Sequence, residues 1–103
     1  MPKKARRKTA KEVENLKTPG FHAVGGVDGL YLRVYEPGSR SWVLRYATPE
    51  IKYSSTGKPY YARRDLGLGG YPDVTLSQAR DRAREARQKI REGIDPAEER
   101  AEA

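Results

Sequence analysis

Three arginines, Arg33, Arg45 and Arg63, lie in segments whose residues alternate between apolar and polar. Side chains of a β-strand alternate between its two faces, so each arginine falls on the face that the leucines of its segment do not use. A guanidinium donates two hydrogen bonds to a phosphate, or to O6 and N7 of guanine. The pattern therefore predicts a sheet with an apolar back and a front that binds an anion.

A hairpin is predicted to carry the first two of these arginines. Its strands are Gly29–Tyr35 and Ser41–Ala47, and a Pro-Gly-Ser turn lies in the connection between them. Arg33 and Arg45 then share one face of the hairpin. The residues predicted to face the core from the hairpin are Leu30, Leu32, Val34, Trp42, Leu44 and Tyr46.

A third strand is predicted over Tyr60–Leu68. If Leu66 and Leu68 face inward, Arg63 joins the face that carries the other two arginines. The neighbouring Arg64 then lies on the inner side, where a charge without a partner is costly. The orientation of this strand is therefore the least secure part of the predicted sheet.

The remaining elements are two helices, a short strand and a loop. Thr9–Leu16 and Thr75–Glu92 each begin with a threonine that is followed three residues later by Glu or Gln, which is the capping-box spacing of a helix start. Phe21–Val24 is a possible short strand, and Thr48–Pro59 is predicted to be a long exposed loop. The predicted fold is α+β, with a three-stranded antiparallel sheet, plus the possible N-terminal strand, packed against one C-terminal helix. The apolar stripe of that helix consists of Leu76, Ala79, Ala83, Ala86 and Ile90.

The net charge of +7 is unevenly distributed. Residues 1–17 contain seven Lys or Arg against two Glu, residues 18–74 seven against five acidic residues, and residues 75–103 seven against seven. The excess thus lies in the sheet region and in residues 1–8, which we expect to form a mobile basic arm. Such a patch suits a nucleic acid, although it also promotes solubility. In the C-terminal helix, acidic residues are interspersed among the arginines, so we expect these arginines to lie on a solvated helix surface. They are Arg80, Arg82, Arg84, Arg87 and Arg91.

Catalytic and cofactor sites find no support in the sequence. His22 is the only histidine and there is no cysteine, so the residues of a zinc site or a nucleophile–histidine pair are missing. The Gly-Lys pair at 57–58 lacks the upstream glycine of a P-loop, and the glycines at 67–70 do not match the dinucleotide fingerprint. No apolar run reaches about 18 residues, and no secretory signal is recognisable. We expect a cytoplasmic, non-catalytic chain without cofactor, metal or membrane.

Four motifs occur in order along the chain: DGLYLRV, SWVLRY, LGLGGYPDVTLSQAR and REGIDPAEER. Together they resemble the N-terminal arm-type DNA-binding domain of phage and genomic-island integrases, which are tyrosine recombinases. The resemblance covers about Thr9–Arg100, and the Thr48–Pro59 loop is longer than is usual in it. It implies a three-stranded sheet that is backed by the C-terminal helix and placed in the DNA major groove. It also implies that a core-binding domain and a catalytic domain with the tyrosine nucleophile follow in the chain.

We therefore expect sequence-specific binding of double-stranded DNA at arm-type sites, in the service of site-specific integration. Residues 1–8 are assigned to the arm, 9–96 to the DNA-binding domain and 97–103 to the start of a linker. The expected partners are DNA and the core domains of the same integrase, with the isolated domain a monomer. Contacts in the major groove are expected from Tyr31, Arg33, Val43, Arg45 and Arg63. Contacts with phosphates are expected from Lys3, Lys4, Arg6, Arg7, Lys8 and Lys58.

Other interpretations stay open at the level of the sequence. A double-stranded RNA-binding module also combines a sheet with a helix, and a protein adaptor would use the helix instead. The outer arginines also suit a solvated face on which they pair with Glu36 or Asp65. Two interpretations also stay open for the exposed tyrosines. Either they supply phosphate hydrogen bonds or a stacking surface, or they reflect only the preference of tyrosine for strands. These tyrosines are Tyr31, Tyr35, Tyr53, Tyr60 and Tyr61.

Overall fold

Four strands form one antiparallel sheet in which spatial order follows chain order. The computed structural model describes residues 6–36 and 38–102. The α+β class is confirmed, and the possible N-terminal strand is a fourth member of the sheet. The elements are α1 (Ala10–Glu14), β1 (Gly20–Ala23), β2 (Leu30–Val34), β3 (Arg40–Tyr53), β4 (Pro59–Tyr71), α2 (Leu76–Arg91) and α3 (Pro96–Glu102).

The core lies between one face of the sheet and α2. Trp42, fully buried, is its largest side chain, and its indole Nε1–H donates to the carbonyl oxygen of Val74 at 2.7 Å. The predicted inner residues of β2 and β3 are all buried, and the predicted capping boxes of α1 and α2 are both present. Burying each large apolar side chain contributes roughly 1.5–3 kcal/mol, so this face fixes the orientation of the whole sheet. The helix residues that pack against it are Leu76, Ala79, Ala83 and Ala86.

The prediction of a long loop at 48–59 is wrong. β3 runs on to Tyr53 and β4 starts at Pro59, so only residues 54–58 form a turn. The two prolines suggested a loop, but each occupies a position that a strand tolerates. Pro49 lies within the register shift between Ala47 and Ile51, and Pro59 is the first residue of its strand.

A third helix occupies the segment that was predicted to begin a linker at residue 97. Asp95 precedes α3, and its Oδ1 accepts hydrogen bonds from the backbone N–H of Ala97 at 3.0 Å and from the hydroxyl of Tyr46 at 2.5 Å. Arg64 pairs with the Asp95 carboxylate at 3.4 Å and with Glu98 at 3.5 Å. This network explains how Arg64 is accommodated on the inner side, and it confirms that Leu66 and Leu68 face inward.

Ionisation of Asp95 and Tyr46 is coupled to this network. Burial acts to raise the pKa of Asp95, but the hydrogen bonds from Tyr46, Ala97 and Glu98, with the charge of Arg64, hold it below its usual value. Burial, together with the hydrogen bond to Asp95, raises the pKa of Tyr46 to about 12. A carboxyl whose pKa is lowered by folding stabilises the folded state above its ordinary pKa, and this contribution is lost as the pH falls.

We expect Asp95→Asn to lower the free energy of unfolding at pH 7 by about 1–3 kcal/mol, because Arg64 loses its charged partner. The difference from the wild type should shrink as the pH falls below about 4, because the carboxyl of the unfolded chain takes up a proton there and that of the folded chain does so at lower pH. Urea unfolding at pH 7 and pH 3 measures both quantities. The control is Glu99→Gln in α3, which removes an exposed partner of Lys89 and should lower the free energy of unfolding by less than about 1 kcal/mol. A pH-independent loss for Asp95→Asn would contradict the assignment.

Gly29 and Gly57 have the same backbone φ, +83°, but different surroundings. An added Cβ at Gly29 would lie 2.1 Å from the carbonyl oxygen of Arg45 and 2.5 Å from Nη2 of Arg87, whereas Gly57 has open space. Gly57→Ala should cost about 1–2 kcal/mol for the left-handed conformation alone. Gly29→Ala should cost about 3–5 kcal/mol, since the hydrogen bonds of Arg87 must also be displaced. Equal losses in urea unfolding would show that the close approach at Gly29 is unimportant.

Candidate nucleic-acid interface

The sheet face opposite α2, here called the outer face, collects the predicted groove residues on neighbouring strands. Antiparallel pairing places Tyr31 opposite Val43 and Arg45 opposite Asp65. Arg33 lies beside Phe21 of β1, and Arg63 lies opposite Ala47. The outer face therefore brings together all five residues, Tyr31, Arg33, Val43, Arg45 and Arg63.

Phe21 is the centre of this surface, although the sequence did not single it out. The guanidinium carbon of Arg45 is 3.9 Å from the centroid of its ring, and that of Arg33 is 4.9 Å away. The ring of Tyr31 meets it edge-on, with the centroids 6.1 Å apart. Each cation–π contact contributes about 0.5–1 kcal/mol at an exposed site, so the ring restrains two long side chains at once. Its position opposite Arg33 could have been found only from the register of β1 with β2.

Arg45 is held by a carboxylate as well as by the ring. Its Nε donates to Oδ1 of Asp65 at 3.0 Å, which is one of the cross-strand pairs that the sequence left open. An exposed ion pair contributes little to stability. Its consequence is geometric, because a bond at Nε leaves both terminal amino groups of the guanidinium available as a two-pronged donor.

The other two arginines of the outer face are exposed. The guanidinium carbon of Arg33 lies 4.5 Å from the ring centroid of Tyr35, so the side chain is placed between two aromatic rings. Within residues 6–36 and 38–102, neither Arg33 nor Arg63 forms an ion pair. Of the two cross-strand partners that the sequence left open for the outer arginines, Glu36 is therefore not used within these residues.

Val43 differs from the other four residues because it is only 8% exposed. It lies outside the main core and is covered on the outer face itself. The expectation that its methyl groups reach a thymine conflicts with this burial, because the surrounding side chains would have to move first. The alternation of the strand predicted the correct face, but it carries no information on how far neighbouring side chains cover a small residue.

The basic arm is anchored where the structure describes it. The backbone N–H of Lys8 donates to the carbonyl oxygen of Val24 at 2.8 Å, and Arg6 pairs with Glu12. The hydrogen bond from Arg6 is the main cause that lowers the pKa of the Glu12 carboxyl. Residues 6–8, which the sequence assigned to a mobile basic arm, are thus in contact with α1 and with the residue after β1. Lys3 and Lys4 lie outside the described residues. Arg7 is exposed, and Lys58 is exposed in the turn between β3 and β4.

Three arginines of α2 contradict the expectation of a solvated helix surface. Arg80 is only 6% exposed and donates to the carbonyl oxygens of Lys8, Val24 and Gly25 at 2.7, 3.0 and 3.3 Å. Burial is the main cause that lowers its pKa. The expectation fails because backbone carbonyl acceptors leave no trace in the charge pattern of a sequence.

The other two helix arginines that bind backbone are Arg82 and Arg87. Arg82 donates to the carbonyl oxygen of Leu68 at 2.8 Å. Arg87 donates to that of Asp28 at 2.6 Å and to that of Arg45 at 3.1 Å. Arg84 keeps to the expectation, since it is exposed and pairs with Asp81. Three arginines of the helix are thus engaged by backbone carbonyls of the fold, which leaves the outer face as the clearest site for an anion.

Membrane-spanning helices and metal sites are both absent from the described part of the chain. No helix there is long and apolar enough to cross a membrane. Within the same residues, no three His, Cys, Asp or Glu side chains are grouped so that they could hold a metal ion.

Comparison with known proteins adds an independent observation. A family model described as Arm DNA-binding domain matches residues 4–103. The integrase of Enterobacteria phage P4 is 34% identical over 88 residues, which are 84% of this chain and 18% of that protein. The integrase of Shigella phage Sf6 and the prophage integrase IntS of Escherichia coli K12 are each 38% identical over 90 residues, 85% of this chain and 20% of those proteins. The chain thus spans about a fifth of the length of these relatives.

The stacked arrangement predicts that Phe21 restrains Arg45. In Phe21→Leu the apolar volume is largely kept but the π-face is lost, so the Nε–H of Arg45 should become more mobile. NMR relaxation of the arginine Nε groups measures this as a lower order parameter at Arg45. Arg63, which is on the same face but has no contact with Phe21 among its described contacts, is the internal control. An unchanged Arg45 would show that the pair with Asp65 alone fixes the side chain.

Proposed function

The chain belongs to the Arm DNA-binding domain family, and on that premise we propose that its outer face enters the major groove of arm-type DNA sites, away from the point of strand exchange. The family and its integrase relatives assign to the chain DNA binding, in the non-catalytic part of an integrase. The further proposal is that it recognises sequence and serves site-specific integration. Its remaining partners would be the core domains of the same protein, with the isolated domain a monomer in the bacterial cytoplasm and on the nucleoid when bound.

The observation that carries this proposal is the arrangement of two guanidinium groups on one aromatic ring. Phe21 holds Arg33 and Arg45 on the same face before any ligand binds. Long side chains that are already ordered lose less conformational entropy on binding. A bidentate contact from arginine or lysine to guanine is the commonest specific contact that proteins make with DNA bases.

Each outer-face residue has a distinct part in this proposal. Arg45 would present its terminal amino groups to O6 and N7 of a guanine, because its Nε is already bonded to Asp65. Arg33 and Arg63 would make further base-edge or phosphate contacts, and Tyr31 would contribute a hydrogen bond through its hydroxyl. Each good bidentate contact contributes about 1–3 kcal/mol of discrimination between bases. Val43 would support this surface from below and would not contact a base, because it is buried.

Phosphate contacts are proposed for the basic residues around the outer face. They position the protein on the duplex without reading its sequence. Each one should contribute about 0.9 to the slope of log K against log salt. Arg6 would first have to exchange its pair with Glu12 for a phosphate. The residues proposed for this role are Lys3, Lys4, Arg6, Arg7, Lys8 and Lys58.

Double-stranded DNA fits this geometry better than double-stranded RNA. The major groove of B-form DNA is about 12 Å wide and admits strands of a sheet, whereas that of A-form RNA is too narrow for side chains to read. The arginines proposed to contact bases, Arg33, Arg45 and Arg63, lie on the broad face of a sheet and not on a loop or a helix end. We therefore propose DNA as the ligand and retain RNA as an outcome of the test.

Selection of duplexes from a randomised DNA pool provides the site for the test. We expect one enriched sequence, and Arg45→Ala should weaken binding to it by about 5- to 150-fold, the equivalent of 1–3 kcal/mol. Arg33→Ala should have a loss in the same range. Fluorescence anisotropy at fixed salt measures these affinities. Arg91→Ala, in an exposed residue at the end of α2, is the matched control and should change affinity less than twofold.

The same measurements separate the alternatives. A pool that yields no preferred sequence, or full affinity in both Arg33→Ala and Arg45→Ala, would exclude base reading by the outer face. Tighter binding to an RNA duplex of matched sequence would favour the RNA-binding class. Failure to bind either duplex at low salt would favour an adaptor that acts through its helices.

A further inference from the structure

The β3–β4 hairpin extends beyond the core, and we call this projecting part the ribbon. It comprises Pro49–Tyr53, the turn 54–58 and Pro59–Tyr61. Thr48 is the last buried residue of β3, and its hydroxyl donates to the carbonyl oxygen of Ala62 at 3.0 Å. The distance along β4 from Arg63, on the outer face, to Pro59, at the far end of the strand, is about 13 Å at 3.3 Å per residue.

The ribbon is a built structure and not a loose loop. Its strands are in register, with Ile51 opposite Tyr61 and Tyr53 opposite Pro59. Inside the turn, Ser54 N–H donates to the carbonyl oxygen of Lys58 at 2.9 Å, and the Lys58 N–H donates to Oγ of Ser54 at 3.1 Å. A two-stranded hairpin is only marginally stable in water, so this closing turn is needed to hold the ribbon in one shape.

Large side chains are exposed along the ribbon without serving the core. Tyr53 is 69% exposed, Tyr61 59%, Ile51 54% and Tyr60 50%. Only Tyr35 and Ile94 are other large apolar residues with comparable exposure in the described part of the chain. Exposed apolar residues that cluster in one place usually mark a surface that binds something.

Charge and side-chain chemistry select the kind of partner. Lys52 and Lys58 are exposed on the ribbon and outnumber its only acidic residue, Glu50. Tyrosine offers a hydroxyl donor on an aromatic ring, and tyrosine and lysine are both groups that proteins use to bind phosphate oxygens and sugars of DNA. An apolar groove for a protein partner would instead expose aliphatic side chains, of which the ribbon has only Ile51.

The ribbon continues the outer face. Tyr61 lies two residues before Arg63 on β4, so both side chains are on the same side of the strand. Ile51 faces the same side because it is opposite Tyr61. A ligand that covers the arginines of the outer face therefore passes on to the tyrosines of the ribbon.

We propose that the ribbon is a second DNA-contacting surface, which binds the sugar-phosphate backbone that flanks the sequence under the sheet. The inference rests on the proposed function and extends it. Contacts made by the ribbon would determine how many base pairs the site spans and not which sequence is preferred. A projection of about 13 Å corresponds to roughly four base pairs at 3.4 Å each. Backbone contacts carry no sequence information, so the ribbon should change affinity and salt dependence without altering the preferred sequence.

The test uses the selected duplex, trimmed to its minimal length and then extended by about five base pairs on one side or the other. The wild type should gain about tenfold in affinity on extension at one end, from phosphate contacts made by the ribbon. Lys58→Gln should reduce that gain and lower the salt slope by about 0.9, for one phosphate. Tyr53→Ser with Tyr61→Ser should reduce the gain while leaving the salt slope unchanged.

The matched control removes one positive charge elsewhere, in Arg84→Gln on the exposed side of α2, and should keep the full gain. Urea unfolding of every variant verifies that the domain is folded. If the ribbon variants gain as much as the wild type on extension while Arg45→Ala still abolishes tight binding, the ribbon proposal is wrong and the outer-face proposal stands. If Arg45→Ala has no effect on any duplex, the proposed function itself fails. A change in the selected sequence of the ribbon variants would also overturn a role limited to the backbone.

Discussion

The close approach of α2 to the sheet is the constraint on which the rest of the structure depends. The helix faces the sheet with Ala79, Ala83 and Ala86, and these small side chains let its backbone lie near the strands. At that distance Arg87 reaches the carbonyl oxygen of Asp28, in the β1–β2 connection, and that of Arg45 in β3. The strand that carries Arg45 on the outer face is therefore tied from behind by its own carbonyl group. Larger side chains in the alanine stripe would separate the layers and release this support.

The two sets of arginines show why charge alone is a weak guide to a binding surface. In α2, Arg80, Arg82 and Arg87 bind backbone carbonyls. On the outer face, Arg33 and Arg45 rest on aromatic rings, and Arg45 also pairs with Asp65. The presence of Asp65 means that the outer face is not simply electropositive. Such a mixed surface favours selection among base edges, since a carboxylate repels any phosphate that approaches without a base contact to compensate. General affinity for a polyanion must then come from residues around this face.

The sequence predicted those features whose cause is local. Strand alternation assigned Arg33, Arg45 and Arg63 to one face, and the spacing of Thr75 and Gln78 marked the start of α2. What it missed has a tertiary cause. The helix after Asp95 depends on contacts with Tyr46 and Arg64, which are far away in the chain, and a helix of seven residues has little stability of its own. The position of Phe21 beside the arginines depends on the pairing between β1 and β2. The ribbon was predicted as a loop because prolines at a bulge and at the start of a strand look, in a sequence, like those of a loop.

Arg63 and Arg64 show how one strand serves both layers of the molecule. Consecutive residues of β4 point to opposite faces, so Arg63 lies on the outer face while Arg64 binds Asp95 and Glu98 beneath the sheet. A shift of β4 by one residue against β3 would bring Arg64 to the outer face, but it would also expose Leu66 and Leu68 and break the network that holds α3. The register of β4 against β3 therefore fixes both the residues of the outer face and the contacts that hold α3. The same apolar burial that stabilises the core thus determines which arginine is available to DNA.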